Sequence, residues 1–523
     1  MAMKKSVSVA MSSVLALSML AACSGGNKHQ GGGNPAGTPG AAGETEPKVS
    51  TAPVQKEQTF TMLTESHPNW PYDKNALVWK IIKEKTGVSL NMQTPSGKLD
   101  DTINLNVASG NMPDITFMLS LNQANKYGQQ GALANILEYT ELMPNFQKWM
   151  EQYPDVVKST LAADGNLYVF PNEGIGETNR MIWLYREDIF TKHNLQPPTT
   201  YDELYEVLKK LKEEYPDSYP FTFRTGNNLE ILRNLSPAFL TNEGYYVDEA
   251  TKEIKYGPVE DSYKTMIGYL NKFYKDGLMP KDWLTVDTKQ WQDMISTNQS
   301  FITIDYISRI DFFNIAMRKE NPEFNMQFMA PPAGPDGKAL NAYTHTNYSG
   351  MTVSSNSKHI PEIMQYMDWF YSEEGKDILS WGIEGETYEV ENGKRKIKSD
   401  FIDLTDLRKR TNLSTNGAYI WIDYDAHLAM SSEDLQQAYE EARKYDDVLR
   451  PLPSFSEQEQ ELISTKGEAV QKNRNETISK FILGERSLDE WDRYVEGAYK
   501  LGLEEVLATY RIAFERAANT KLN

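Results

Sequence analysis

The feature that most constrains this 523-residue chain is its one cysteine, Cys23, near the N-terminus. The stretch before it, Val7 to Leu20, is uncharged and mostly apolar, and Lys4 and Lys5 precede it. The stretch after it, residues 24–57, is rich in Gly, Ser, Pro, Ala and Thr, a composition that cannot bury a core. The folded body therefore begins near residue 58 and must be stabilised without any disulfide.

The N-terminal pattern is typical of a secretory signal, because the apolar stretch is too short for a stable membrane span. The sequence Leu-Ala-Ala-Cys at residues 20–23 resembles a bacterial lipobox, which implies cleavage after residue 22 and acylation of Cys23. We then expect a signal peptide over 1–22, a tether over 23–57, and a body held at the extracytoplasmic face of the cell membrane. The alternative is an ordinary signal peptide with a leftover cysteine.

The composition excludes several classes of protein. About 465 residues follow the tether, which is enough for two or more lobes. No later run of 18 apolar residues exists, so the sequence predicts no further membrane span. The net charge of −19 argues against a nucleic-acid partner because phosphates would be repelled, and simple solubility explains it.

Hydrophobic patterning predicts an α/β body with a helical C-terminal portion. A strand at 59–64, a helix ended by Gly87 and a strand at 88–93 form a βαβ unit, which implies a parallel sheet. The chain is mainly helical from Ser431. Open α/β sheets bind ligands beyond the carboxyl ends of their strands. The loops of interest therefore follow the predicted strands at 59–64, 115–118, 220–224 and 301–306.

Several segments, in this order along the chain, resemble one family: ASGNMPDI, GALANILEY, DGNLYVFPN, WLYREDIFTKHNLQPPTTYDEL, KDGLMPKDW, APPAGPDGK and WFYSEEGKDILSWGIEGETYE. A C-terminal segment that begins KFILGERSLDEW continues the match. They are similar to the large solute-binding lipoproteins of bacterial carbohydrate ABC importers, of the lipoprotein A type, to which alginate-oligosaccharide binding proteins are also similar. The resemblance runs from about residue 58 to 518.

The resemblance implies a two-lobed, periplasmic-binding-protein-like fold with discontinuous lobes and hinge strands. By analogy, the N-terminal lobe takes residues 58–174 plus 303–350, and the C-terminal lobe takes 175–302 plus 351–523. The crossings are expected near Pro171–Gly176, Ile302–Tyr306 and Gly350–Thr352. Some relatives carry a calcium loop after the helix that is 200–215 here. This chain has only Asp217 there, so we expect no metal and no cofactor.

A sugar site needs aromatic plates and planar polar groups, and the chain has 10 Trp and 29 Tyr. Five candidate ligand contacts lie in loops or at strand ends, each with a structural role as the alternative: Trp70, Ser120, Arg224, Tyr306 and Tyr348. Arg224 follows an apolar strand and could bind hydroxyls or a carboxylate at two points, or form a structural ion pair.

The segment WGIEGETYE has two glycines beside Glu384, so Trp381, Glu384 and Tyr388 could present a plate, an acceptor and a phenol together. The alternative is that Glu384 holds a turn. Trp421, in NGAYIWIDYD, is a further candidate plate. By contrast, the tryptophans within predicted helices are expected in the core.

No motif for catalysis is present: the six histidines are scattered, and there is no zinc-binding pair or nucleophile elbow. We therefore expect no enzyme but a monomeric, lipid-anchored binding subunit that delivers an oligosaccharide to ABC permease subunits. The alternatives are a secreted glycoside hydrolase, with two carboxylates at a suitable distance, and a surface adhesin lipoprotein. The sugar can be neutral or acidic, and only Arg224 suggests an acidic one.

Overall fold

The computed structural model of the protein describes residues 57–519, apart from 96, 119, 179, 225–228, 230, 336, 343–348 and 449–452. Within this part of the chain, no helix is long and apolar enough to cross a membrane. The signal peptide, Cys23 and the tether expected from the sequence lie outside the described residues.

The strands are β1 Gln58–Leu63, β2 Val88–Gln93, β3 Ile115–Met118, β4 Met181–Arg186, β5 Tyr245–Val247, β6 Ile254–Tyr256, β7 Ile302–Tyr306, β8 Met326–Phe328, β9 Gly350–Val353, β10 Tyr388–Glu391 and β11 Lys394–Ile397.

The helices of the first half are α1 Leu77–Thr86, α2 Leu99–Ser109, α3 Leu121–Gln129, α4 Pro144–Gln152, α5 Pro154–Thr160, α6 Ile175–Thr178, α7 Glu187–Lys192, α8 Tyr201–Glu214, α9 Leu232–Leu235 and α10 Asp261–Lys275. The later helices are α11 Thr288–Ser296, α12 Arg309–Met317, α13 Ile360–Phe370, α14 Glu373–Trp381, α15 Leu404–Thr411, α16 Tyr424–Leu428, α17 Glu433–Ala442, α18 Glu457–Leu462, α19 Glu468–Leu483, α20 Trp491–Lys500 and α21 Leu503–Asn519.

The first sheet has the strand order β2-β1-β3-β9. β1 pairs parallel with both β2 and β3, as the βαβ pattern predicts, and β9 joins β3 antiparallel. Gly87 ends α1 in the left-handed conformation, with φ 71° and its N–H bonded to the Lys83 carbonyl. All four residues of β3 are buried, because the sheet is covered on both faces.

The second sheet has the order β7-β4-β8, and both of its pairings are antiparallel. Alternation along β4 sends Trp183 to one face, where it stacks on Phe221 with ring centroids 5.5 Å apart. Ile182 and Leu184 pack on the opposite face. The sheet therefore lies between two apolar layers.

Each sheet has its own hydrophobic core. The first core includes Phe60, Phe117 and Met351 and continues to Ala426. The second core lies on both faces of the second sheet and takes in side chains of α17, α19 and α20. The chain passes from the first core to the second after Phe170, returns before Met351, and passes to the second core again after Ala426.

Strand pairing differs from the partition expected from the sequence. Residues 302–306 and 326–328 pair with β4 in the second sheet, whereas we had expected 303–350 in the N-terminal lobe. Residues 360–426 supply side chains to the first core, whereas we had expected them in the C-terminal lobe. β7 is an edge strand of the second sheet, beside the central β4, and β9 is an edge strand of the first. An apolar strand does not encode which sheet it joins, so sequence alone did not decide this.

Candidate functional site

The loop after β1 places Trp70 beside His67. The two rings stack with centroids 3.7 Å apart and planes 6° from parallel, so His67 covers one face of the indole. A cavity of about 20 Å³ beside Trp70 is also lined by Glu65 and Asn416. This is room for about one water molecule. Trp70 is half-buried at the carboxyl end of a parallel strand, the position at which sequence reasoning expected a ligand contact.

The helix α15 and the residues after it pack against this loop. The Asn412 side-chain oxygen accepts hydrogen bonds from the Asp73 backbone N–H at 2.9 Å and from the Trp79 indole N–H at 3.1 Å. The Arg408 guanidinium carbon lies 5.1 Å from the Trp70 ring centre, within the range of a cation–π contact. Residues more than 330 positions apart in the chain thus form one polar and aromatic cluster.

Sequence reasoning missed Arg408. No motif marks it, but α15 buries Leu407 and Thr411, and Arg408 lies next to them, four residues after the half-buried Leu404. A charged side chain beside the buried stripe of an amphipathic helix is the signal that could have identified it.

At the carboxyl end of β7, two arginines share one carboxylate. Arg224 donates to Asp305 from Nε at 2.6 Å and from Nη2 at 3.2 Å, and Arg309 Nε donates to the same side chain at 2.8 Å. Burial alone would lower the pKa of Arg224, but its hydrogen bonds and charge contact with Asp305 raise that pKa overall. Arg224 therefore forms the structural ion pair that was the alternative to a ligand contact, and Asp305 occupies two of its five N–H donors.

Tyr306, the last residue of β7, is 38% exposed. Its ring centre lies 5.6 Å from the Arg224 guanidinium carbon and 5.9 Å from that of Arg309. The two cations fix the orientation of the ring while leaving part of it open. Tyr306 is thus placed as sequence reasoning expected of a ligand contact.

Ser120 caps α3. Its hydroxyl accepts a hydrogen bond from the Gln123 backbone N–H at 3.4 Å, and the residue is exposed. The side chain therefore has a local structural role at the strand end where a ligand contact was expected.

The segment WGIEGETYE does not present a plate and a phenol together. Trp381 and Tyr388 are 4% and 8% exposed and belong to the first core, with ring centroids 5.7 Å apart. The Trp381 indole N–H donates to Asp423 at 2.7 Å. Glu384 is exposed in the turn that leads to Tyr388, so the structure separates it from the two buried rings.

Trp421 is also buried, at 6% exposure, in the first core. Its ring centre lies 4.1 Å from Lys376 Nζ and 6.1 Å from the Tyr153 ring centre, so neighbours already contact the ring. Trp421 and Lys376 line a cavity of about 480 Å³ where the chain passes between the two cores. Packing from distant segments covers most of the Trp421 ring, and its contact with a ligand stays a prediction.

The charged wall of this cavity was not predicted from sequence. Glu177 accepts hydrogen bonds at 2.8 Å from both Arg180 and Arg443, and Arg180 also binds Asp446 through two nitrogens. Burial alone would raise the pKa of Glu177, but its bonds to the two arginines lower that pKa overall. These four charges neutralise one another, so the network links the crossing segment to α17 and the turn after it rather than offering a charge to a ligand.

Two predicted positions lie outside the described residues: the ligand candidate Tyr348 and the lipidation residue Cys23. Within the described ranges, no cluster of three or more His, Cys, Asp or Glu side chains is arranged to hold a metal ion. The groups gathered near the strand ends include rings, guanidinium groups, amides and hydroxyls, which suit non-covalent recognition.

Two α/β sheets with separate cores, crossed repeatedly by one chain, define the two-lobed fold of a periplasmic-type binding protein. The sequence profile of the bacterial extracellular solute-binding proteins matches residues 68–377, and the chain belongs to that family. The predicted fold class and family resemblance are thereby confirmed.

Curated relatives extend the match over most of the chain. The polygalacturonan/rhamnogalacturonan-binding protein YtcQ of Bacillus subtilis (strain 168) is 24% identical over 89% of this chain and 93% of its own length. The fructooligosaccharide ABC transporter substrate-binding protein FusA of Streptococcus pneumoniae serotype 4 is 24% identical over 88% of this chain and 90% of its own.

Solved structures share the fold. The crystal structure of alginate-binding protein AlgQ2 without calcium ion superposes with a TM-score of 0.74, at 23% identity over 88% of this chain and 99% of that chain. The structure of S. pneumoniae FusA in complex with kestose gives a TM-score of 0.72, at 19% identity over 88% and 100%.

Proposed function

We propose that this chain is the lipid-anchored substrate-binding subunit of a carbohydrate ABC importer, which captures an oligosaccharide and delivers it to membrane permease subunits. The observation that carries the proposal is membership of the solute-binding family together with similarity, over nearly nine tenths of the chain, to proteins named for binding polygalacturonan/rhamnogalacturonan and fructooligosaccharide. The work is non-covalent, and the ATPase of the transporter drives import.

The two cores are proposed as the two lobes. On this assignment the first lobe comprises residues 57–174 and 350–426, and the second comprises 181–329 and 435–519, each with its own sheet. Sugar bound between them would bridge the lobes and favour a closed state. Only the closed state would present the two lobes to the permeases in the relative orientation that they recognise. Sugar binding would therefore be coupled to transport.

Trp70 and Tyr306 are the proposed sugar-contacting rings. Each lies at the carboxyl end of a strand, one in each sheet, and each keeps part of its ring exposed. A ring packed on the C–H face of a sugar contributes about 0.5–1.5 kcal/mol beyond area burial, by analogy with aromatic pairs. Two such contacts on opposite lobes would favour closure.

A thermal-shift screen of the purified full chain against plant-derived and fructose oligosaccharides tests the proposal. Ligand at 100 times its dissociation constant adds about 2.7 kcal/mol to the free energy of unfolding, which raises the melting temperature measurably. Chromatography of the recovered sugar should show it uncut. Cleavage would favour the hydrolase alternative, and no shift with any sugar would favour the adhesin.

The lipid anchor at Cys23 has its own test. Detergent phase separation of the chain expressed in a bacterium should place the wild type in the detergent-rich phase. Cys23→Ser should move it to the aqueous phase, because one or two acyl chains supply the membrane affinity. Equal partitioning of both chains would refute the anchor and leave sugar binding untouched.

A further inference from the structure

Among the described residues, several buried and half-buried arginines are matched with carboxylates. Each of the following has an Asp or Glu oxygen within 4 Å of a guanidinium nitrogen: Arg180, Arg186, Arg224, Arg309 and Arg474. This is the expected arrangement, because a guanidinium removed from water without an anionic partner costs several kcal/mol. An arginine that departs from the pattern therefore needs a reason.

Arg408 departs from it. Within the described part of the chain, its side chain forms no ion pair and no hydrogen bond, and its Nε is enclosed without an acceptor. Burial lowers the pKa of Arg408, yet a guanidinium remains protonated at any physiological pH. The residue is therefore a fixed positive charge with its hydrogen-bond donors unused.

The aromatic neighbours of Arg408 do not neutralise it. Burial and then the charge of Arg408 lower the pKa values of His67 and His427, that of His427 to about 3, so both imidazoles are neutral at pH 7. The phenols of Tyr419 and Tyr439 also face Arg408, and they too are neutral at that pH. The cation thus lies among rings.

The position of Arg408 is between the two cores. Tyr419 belongs to the first core, whereas Tyr439 belongs to the second. The ring of Trp70, a proposed sugar contact, is 5.1 Å away. Arg408 therefore lies among rings that belong to both cores.

Glu65 is the acidic side chain among those that line the cavity beside Trp70. Its Oε1 accepts a hydrogen bond from Asn416 at 3.2 Å, and among the described residues it forms no ion pair with Arg408. The Asn416 amide therefore holds Glu65 in a separate interaction. Its charge would oppose an incoming anion without occupying the guanidinium.

We propose that Arg408 binds a carboxylate of the sugar ligand, so that the substrate class is an oligosaccharide containing uronic acid residues; this rests on the proposed function. The two carboxylate oxygens would accept parallel hydrogen bonds from the guanidinium, a planar match that gives orientation as well as affinity. The sugar ring that bears the carboxylate would lie beside Trp70. Arg224, the candidate from the sequence, has less donor capacity for this role because Asp305 already binds it at two points.

Calorimetric titration of the full chain tests the proposal with three ligands: an oligogalacturonate, its methyl ester of equal length, and a neutral fructooligosaccharide. The expected result is binding of the oligogalacturonate, with affinity about tenfold to a hundredfold above that of the ester. Affinity for the acid should fall with added salt, whereas affinity for the ester should not.

Two variants locate the effect. Arg408→Gln should weaken oligogalacturonate binding by about tenfold to a hundredfold and leave ester binding unchanged. Arg410→Gln is the matched control, because Arg410 is on the same helix but is exposed and paired with Asp400 at 3.0 Å. It should change neither affinity by more than about twofold.

A third variant separates loss of binding from loss of folding. Glu65→Gln removes the opposing charge, and it should strengthen oligogalacturonate binding by about threefold, a gain that misfolding cannot produce. Equal binding of acid and ester, or unchanged binding by Arg408→Gln, would overturn the inference. Binding of the neutral sugar alone would overturn it while leaving the proposed function intact. Failure of all three sugars would count against both.

Discussion

Two of the places at which an aromatic ring lies beside a guanidinium group, the end of β7 and the loop after β1, differ in charge balance. At the end of β7, Tyr306 lies beside Arg224 and Arg309, and both arginines bind Asp305. After β1, Trp70 lies beside Arg408, which has no carboxylate within ion-pair distance among the described residues. The same residue types therefore form a self-contained cluster in one lobe and an open one in the other.

The difference in charge balance distinguishes arginines that stabilise the fold from an arginine that is available to bind a ligand. Asp305 is 1% exposed and accepts from three donors of two arginines, so its removal would leave two cations facing each other. Such a cluster orients Tyr306 and holds the sheet edge together. The charge of Arg408 performs no such role, and its desolvation is a cost that only a bound anion would offset.

The largest effect is expected from Asp305→Ala. Loss of the shared carboxylate leaves Arg224 and Arg309 partly buried without a counter-charge, and we expect a loss of about 3–5 kcal/mol in the free energy of unfolding. Denaturant unfolding measures it. The control is Asp400→Ala, which removes an exposed partner of Arg410 and should leave the free energy of unfolding nearly unchanged. Similar costs for both variants would contradict the comparison.

A smaller difference in the free energy of unfolding should distinguish the two clusters in the absence of ligand. Arg224→Met breaks a two-point bond to buried Asp305, and we expect it to lower the free energy of unfolding by about 1–3 kcal/mol. Arg408→Met removes an unpaired charge and keeps the aliphatic contacts, so it should be neutral or stabilising by up to about 1 kcal/mol. If Arg408→Met destabilised the protein as much as Arg224→Met, Arg408 would have a structural partner.

The smallest effect is expected from Ser120→Ala. Loss of the bond to the Gln123 N–H should lower the free energy of unfolding by about 0.5–1 kcal/mol. Sugar affinity should stay the same in calorimetry, because the hydroxyl is used as a helix cap. Asparagine at this position should restore stability, because it also caps helices. A drop in sugar affinity with either substitution would indicate that Ser120 contacts the ligand.

Local patterns predicted much of the fold. Alternation marked β1 and β2, and a buried strand was predicted at β3. The left-handed Gly87 ended α1, and both pairings of β1 are parallel as the βαβ pattern requires. The assignment of strands to sheets was not local. β7 reads as an apolar strand in the sequence, and only its pairing with β4 shows which sheet it joins.

The site was predicted less well than the fold. Strand ends and polar loops predicted partly open rings at Trp70 and Tyr306, and the structure leaves part of each ring exposed; their contact with a ligand stays a prediction. Trp381, Tyr388 and Trp421 lie in equally polar surroundings along the chain, yet the structure buries them. Whether a ring is open or covered depends on segments that are distant in sequence, and residue spacing carries no information about them.

By itself, the sequence determined an exported pattern at the N-terminus, an α/β body without disulfides, and a supply of rings and planar cations, because these follow from composition and short-range periodicity. Only the tertiary structure decided which arginine is neutralised. Asp305 reaches Arg224 across 81 residues and Arg410 finds Asp400 within 10, whereas the fold brings Arg408 to Trp70 and places no carboxylate against it among the described residues. Whether a charge is neutralised depends on which side chains lie near it in space, and the fold decides which ones do.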